Sequence, residues 1–292
     1  MKLAAIDIGS NAIRLQVTKV LKHNKRKPIF KKLEYIRFPL RLGHDVFTNG
    51  YISEDKEQKF LQLMKAFKLL MDLYEVDDYR VCATSAMRES TNGKEIADVV
   101  KEKTGLSIEL IDGETEAALI NVVINEFIKD ETFLHIDVGG GSTELNLYVD
   151  GSKIASNSFK IGSVRRLEHS DSPESWDELK NWVLTHIKKK HGKVTAIGTG
   201  GNINKIFDLA DRKSGKTISL KKIKSITKLI SSYDYEERQK YLHLAPDRAD
   251  VIVPASDIYI AVMQWSGANH IIVPDVGLKD GLLQDMFIRN RN

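Results

Sequence analysis

The sequence predicts an α/β protein of two duplicated domains packed around a central cleft. Two stretches carry most of that expectation. LAAIDIGSNAIRLQV (3–17) and LHIDVGGGSTELNL (134–147) share one pattern: an apolar strand, an aspartate, a glycine turn and a second strand. Laid over each other, Asp7 falls on Asp137, Gly9 on Gly139 and Leu15 on Leu145. Each opening is also followed by the same order of elements, βββαβα, which argues for repeated domains rather than two chance hairpins. A length of 292 residues with 42% apolar composition is ample for two cores.

In the first copy, β-branched and alternating apolar residues predict strands at 2–8, 12–20 and 28–39. A helix at about 53–75 follows, capped by Ser53, with Phe60, Leu61, Leu63, Met64, Phe67, Leu70 and Met71 on one face. Then come a strand at 79–84, a helix at about 93–104 stopped by Gly105, a strand at 106–111 and a helix over 114–129. The pattern restarts at 132, with strands at 133–138, 142–150 and 153–160, a helix at 173–190, a strand at 193–198 and a helix from about 202. A mainly helical stretch to 268, a strand at 270–275 and an amphipathic helix at 278–289 complete the chain. The expected domains are 1–125 and 126–292, with the last helix packing back on the first.

Composition narrows the function. No apolar run approaches the roughly 18 residues of a membrane span, and MKLAAIDIGS reads as a buried first strand rather than a leader. One cysteine, Cys82, excludes an internal disulfide and a cysteine-based metal cluster. These features point to a cytoplasmic protein with no membrane partner. The net charge of +4 is slight, yet lysines bunch at 23–32, 187–193 and 213–228. Such runs form either a solvated face or a surface that attracts polyanions. Aromatic residues are not interleaved with them as in single-strand binders, and no nucleic-acid partner is expected.

After a strand, a glycine-rich turn lets backbone N–H groups approach an anion with no Cβ in the way. Gly9, Ser10 and Asn11 in the first copy, and Gly139, Gly140, Gly141 and Ser142 in the second, are therefore phosphate-binding candidates. Asp7 and Asp137 end the strands before these turns, and carboxylates beside phosphate suit Mg²⁺ or another divalent ion. The alternative, tight hairpins with Asp and Gly as turn formers, explains one copy but not the shared register. AIGTGGNINKI (196–206) adds Gly198, Gly200 and Gly201 before a helix, with Asn202 as a cap candidate. It reads equally as a further phosphate or nucleotide contact and as an ordinary strand-to-helix turn. Arg88 in ATSAMRES (83–90) is suited to a bidentate phosphate clamp or to a plain helix start. IDGETEAALI (111–120) puts Glu114 and Glu116 in a first helical turn, where acidic residues are favoured anyway. Glu116 is one of the few carboxylates positioned to reach the cleft, if the strand end lies beside the glycine turns.

Taken in order, AIDIGSNAIRL, ATSAMRES, IDGETEA, IDVGGGSTEL, GTGGN and PDRADVIVPA (246–255) resemble the exopolyphosphatase/guanosine pentaphosphate phosphohydrolase family. That family belongs to the sugar kinase–heat-shock ATPase–actin superfamily of duplicated ribonuclease-H-like domains. The resemblance implies a phosphoric anhydride hydrolase that removes the terminal phosphate of polyphosphate or guanosine pentaphosphate with Mg²⁺. Glu116 matches the family's catalytic glutamate, Asp137 and Glu144 the acidic residues of the second motif, Asp7 that of the first, and Arg88 its phosphate-binding arginine. Asn11 and Arg14 match polar positions of the first motif. A non-catalytic sensor of polyphosphate or nucleotide is the competing reading, and intact Glu116, Asp137 and Arg88 argue against it.

Two departures from the family pattern matter. Longer relatives carry an additional C-terminal helical region, so this chain is expected to grip long polyphosphate less tightly and to expose a surface suited to a homodimer. His44 in RLGHDV (41–46) replaces the acidic or amide residue of many relatives and is expected at the rim of the site.

Overall fold

The computed structural model describes residues 1–23, 26–187, 191–210 and 217–290. It divides into two compact units, Met1–Val123 with Gly277–Asn292, and Ile124–Val276.

In the first unit, β1 (Lys2–Ile8), β2 (Ile13–His23) and β3 (Arg26–Phe38) form an antiparallel meander. Next come α1 (Leu42–Asn49), α2 (Glu54–Leu73), β4 (Asp78–Ala83), α3 (Ser85–Glu89), α4 (Gly93–Thr104), β5 (Ile108–Leu110) and α5 (Gly113–Ile124). Strands β4 and β5 run parallel to β1, giving the order β3-β2-β1-β4-β5. α2 buries Phe60, Met64, Phe67 and Met71, the i, i+4, i+7 stripe of its sequence. α4 stops where Gly105 turns left-handed at φ 74°.

The second unit repeats the plan with β6 (Thr132–Val138), β7 (Thr143–Val149), β8 (Ser152–Phe159), α6 (Ser163–Leu167), α7 (Pro173–His186), β9 (Val194–Thr199) and α8 (Gly201–Leu209). It continues with β10 (Thr217–Ser219), α9 (Leu220–Ser231), α10 (Tyr235–Leu242), α11 (Pro246–Ala249), α12 (Ile252–Ser266) and β11 (His270–Ile272). The order β10-β11-β9-β6-β7-β8 is that of the first sheet with one antiparallel edge strand added. Both sheets thus have the ribonuclease-H-like arrangement. Leu134, Ile136, Val138 and Leu145 on one face meet α7, α8, α9 and α12 in a single apolar cluster.

The final helix, α13 (Leu278–Arg289), belongs to the first unit. Asp285 takes Arg80 Nη1 at 2.6 Å, Asp280 takes Gln16 Nε2 at 3.3 Å, and Phe287 meets Phe30 edge to face. A Cβ on Gly281 would come 2.2 Å from the Leu119 carbonyl oxygen, so α13 lies backbone-close to α5.

Several local expectations change. Helix α5 gives way after Ile124 to a 3₁₀ turn over Asn125–Phe127, and the strand expected at 270–275 has three residues. The helix expected over 173–190 is described to His186, and 188–190 lie outside the described residues, as do 24–25 and 213–216 of the other basic runs. On α9, Lys221, Lys222, Lys224 and Lys228 are exposed while Ile223, Ile226 and Ile230 are buried, which makes a solvated amphipathic face. Ser53 occupies the cap position of α2 but makes no side-chain cap bond. Its hydroxyl donates to Asp45, whose buried carboxylate also takes the Ser53 N–H and Lys56 Nζ. Asn202 is not a cap either, because Gly200 holds that position and Asn202 is buried inside α8. No helix among the described residues is long and apolar enough to cross a membrane.

Candidate active site

Each glycine turn is a hairpin closed by its first glycine: Gly9 N–H donates to Ala12 O at 3.2 Å, and Gly139 N–H to Ser142 O at 3.0 Å. The carbonyls inside each turn are tied down on one side. In the first unit, Ser10 O accepts from Gly43 N–H at 2.7 Å and Asn11 O from Arg41 N–H at 3.0 Å, while the Ser10 and Ser85 hydroxyls meet at 2.9 Å. In the second, Gly139 O accepts from Ser163 N–H, Gly140 O from the N–H groups of Val164 and Arg165, and Gly141 O from Arg165 Nε, all at 2.8–3.0 Å. In a trans peptide the carbonyl and the following N–H point opposite ways. With three successive carbonyls aimed at α6, the N–H groups of Gly140, Gly141 and Ser142 all point away from it. That is a prearranged row of donors for an anion. The close approach depends on Gly162, where a Cβ would lie 2.4 Å from Gly140 O.

The carboxylates sit beside these turns in cross-strand rows. Reading across the first sheet, the row is Arg37, Arg14, Asp7, Cys82; across the second it is Ser158, Glu144, Asp137, Thr199. The two copies have diverged in charge. Asp7, expected as a metal ligand, takes Arg14 Nη1 on its Oδ2 at 2.6 Å, forming a largely buried ion pair. In the second unit the partner across the strand is another carboxylate. Asp137 and Glu144 are 9% and 2% exposed, and a carboxylate oxygen of each lies within 4.8 Å of the other. The Ser158 hydroxyl orients Glu144 through Oε1 at 2.8 Å. Two adjacent buried carboxylates with hard oxygen donors fit a divalent cation such as Mg²⁺, which relieves their repulsion.

Gly200 explains the second-unit turn further. Its φ of 116° is closed to side-chain residues, and a Cβ there would meet Val138 O at 2.9 Å and Asp137 Oδ1 at 3.4 Å. Gly201 lies under Arg248, whose Nη1 donates to its carbonyl at 2.9 Å. Gly198 is different: it lies within β9, and its absent side chain makes room for Ile271 and Ile203.

In the first unit, Arg88 on α3 gives Nη1 to the Ile111 carbonyl at 2.6 Å, which anchors the guanidinium at the end of β5. Glu116 lies in the first turn of α5, its N–H bonded to Asp112 O at 3.0 Å and its Oε2 buried. His44 is exposed on α1.

Sequence reasoning missed three groups. The Tyr259 hydroxyl on α12 donates to Thr199 O and accepts from Val138 N–H, pinning the ends of β6 and β9; burial, then the Asp137 charge, push its pKa well above the ordinary value. Arg165 braces the glycine turn, and only the small-residue run IGSVRR after β8 hinted at it. His135 is fully buried two residues before Asp137, on the face that Asp137 occupies.

Residues 19–290 match the model of the Ppx/GppA phosphatase family. The chain is 29% identical to a bifunctional 3-dehydroquinate synthase/phosphatase of Fusobacterium nucleatum, over 93% of this chain and 44% of that protein. It is 23% identical to a guanosine-5'-triphosphate,3'-diphosphate pyrophosphatase of Photobacterium profundum, over 99% of this chain and 60% of that one. The chain thus spans about half the length of the curated relatives it matches. Among solved structures, the Aquifex aeolicus member of the Ppx/GppA family aligns with TM-score 0.78 at 25% identity, over 100% of this chain and 99% of that one. An exopolyphosphatase of Cytophaga hutchinsonii shares the fold with TM-score 0.85 at 23% identity, over 99% of this chain and 98% of that one.

Proposed function

Since the chain belongs to the Ppx/GppA phosphatase family, we propose that it is a phosphoric anhydride hydrolase that releases the terminal phosphate of inorganic polyphosphate. The observation that carries this reading is the second-unit turn, where three aligned N–H donors stand beside the Asp137–Glu144 pair. A cradle for phosphoryl oxygens next to a seat for a cation is what phosphoryl transfer needs, because its catalysis is mainly positioning and charge neutralisation.

In this proposal Asp137 and Glu144 hold Mg²⁺, which supplies neutralisation of the phosphoryl charge when bound. The N–H groups of Gly140, Gly141 and Ser142 take oxygens of the terminal phosphoryl group, and Arg88 adds a cation. The turn of Gly9, Ser10 and Asn11 and the backbone at Gly200 and Gly201 contact the neighbouring phosphates. Asp7 is assigned to Arg14 rather than to the metal, since that pair already balances its charge. Glu116 orients a water and accepts its proton as the water oxygen bonds to phosphorus and the bridging oxygen leaves with the shortened chain. Guanosine pentaphosphate is the second candidate substrate, favoured by the match of 99% of this chain to 60% of the Photobacterium pyrophosphatase.

Phosphate release from tripolyphosphate, long-chain polyphosphate and guanosine pentaphosphate, with Mg²⁺ and with chelator, tests the proposal. Turnover should require the metal, and Glu116→Gln should lower kcat by about 10²–10⁴-fold with KM nearly unchanged. Binding of polyphosphate with no phosphate release under any divalent ion would favour the sensor reading. A fully active Glu116→Gln would remove that residue from its role.

A further inference from the structure

The second sheet carries a buried polar chain that its duplicate lacks. One row in from the carboxylates, the second sheet places Ser156, Asn146 and His135 side by side, where the first sheet has Tyr35, Gln16 and Ala5. At the end of the neighbouring parallel strand, Thr199 stands where the first sheet has Cys82. The first sheet therefore forms with no imidazole at the place of His135 and no hydroxyl at the place of Thr199. His135, Asn146 and Thr199 are all 0% exposed. Polar groups so deep in a sheet are costly unless each is satisfied.

The bonds fix which proton is where. Asn146 Nδ2 lies 3.1 Å from His135 Nδ1, and Asn146 Oδ1 accepts from the Ser156 hydroxyl at 2.7 Å. An amide nitrogen only donates, so Nδ1 is the acceptor and the ring proton sits on Nε2. Nε2 is 2.8 Å from Thr199 Oγ1 and donates to it. Thr199 Oγ1, having accepted from His135, keeps one proton to give in another direction. Thr199 is in register with Asp137 and shares its face of the sheet, and Gly200, the next residue, runs close to Asp137 Oδ1.

We propose that His135 is a positioning residue, set by Asn146 as the Nε2–H tautomer, that turns the Thr199 hydroxyl to donate to Asp137 and so aims that carboxylate at the cation. This rests on the proposed role of Asp137 as a metal ligand. Groups that hold a ligand from behind are typically worth 10–100-fold in metal affinity or activity.

The test uses the full chain with Mn²⁺ as the probe, followed by electron paramagnetic resonance, and kinetics on tripolyphosphate. His135→Leu and Thr199→Val should each weaken Mn²⁺ binding and lower kcat by about tenfold, with KM for tripolyphosphate within about twofold. The double variant should lose no more than either single one, because both act through one bond. His135→Gln, which keeps a donor near Nε2, and Thr199→Ser should recover most of the loss. If His135→Leu does not fold, Thr199→Val, close to an isostere, carries the test alone. Folded variants with unchanged Mn²⁺ affinity and kcat, or losses that add in the double variant, overturn the inference while leaving the proposed function intact. Wild-type protein that binds Mn²⁺ but releases no phosphate overturns the proposed function, and the affinities still score His135. Wild-type protein that neither binds Mn²⁺ nor releases phosphate overturns both.

Discussion

Gly162→Ala probes the seating of the second glycine turn with one methyl group. A Cβ there would lie 2.4 Å from Gly140 O, 2.5 Å from Gly140 C and 2.5 Å from Gly141 N. All three are backbone atoms, so no flexible side chain can swing aside. Reaching ordinary contact at roughly 3.5 Å asks α6 and the turn to part by about 1 Å. That separation stretches the bonds from Ser163, Val164 and Arg165 to the Gly139 and Gly140 carbonyls, now 2.8–3.0 Å, past useful hydrogen-bond length. Overpacking typically costs about 1–3 kcal/mol, and each lost bond about 1 kcal/mol more. With three bonds lost, the expected total is about 4–6 kcal/mol in urea denaturation. The freed carbonyls would also release the N–H groups of Gly140, Gly141 and Ser142 from their common direction, so KM for tripolyphosphate should rise at least tenfold in the folded fraction. A Gly162→Ala protein within about 0.5 kcal/mol of wild type and with unchanged KM would show that the turn does not depend on α6.

Two further perturbations separate the roles of charge in the first unit. Arg14→Met leaves the Asp7 carboxylate without its 2.6 Å ion-pair partner in a largely buried place, and should cost about 2 kcal/mol by denaturant titration. Lys56→Met breaks the pair with Asp45, which is 2.5 Å long with side chains 17% and 10% exposed, and should cost about 3 kcal/mol at neutral pH. Burial raises the Asp45 pKa, but the hydrogen bonds from Lys56 and Ser53 outweigh it and the net shift is downward. A depressed carboxyl contributes its stability above the unfolded value near 3.9 and loses it as pH falls through the folded value. The gap between wild type and Lys56→Met should therefore narrow below about pH 4; a constant gap down to pH 3 would refute the assignment.

The elements that were legible in the sequence are those whose own residues fix them. The period of Phe60, Met64, Phe67 and Met71 marks α2, and Gly105 marks the end of α4. The duplicated Asp–Gly turns could be read because two copies constrain each other's register. The short helices α1, α3 and α6 were not legible: at five to eight residues they have no room for a periodic stripe, and their place is set by bonds to the glycine-turn carbonyls and to neighbouring loops. Ser53 and Asn202 look like caps locally, yet tertiary demands from Asp45 and Gly200 decide otherwise. At the site, Asp137 and the glycines were visible from the motif, and Glu144 from the family resemblance. His135, Thr199 and Tyr259 were not, since their roles arise from neighbours 11 to 121 residues away.

The return of α13 to the first unit shapes how the polypeptide matures. Residues 124–276 form an uninterrupted segment, so that half can condense as soon as it clears the ribosome. The other half is translated first but must wait, with the face of β1, β2 and β4 that carries Ala5, Gln16 and Arg80 lacking its cover, until residues 278–289 arrive. The earliest-made sheet would then be the latest to reach its finished form, and the interval between the two is when a nascent chain would most need a chaperone's shelter.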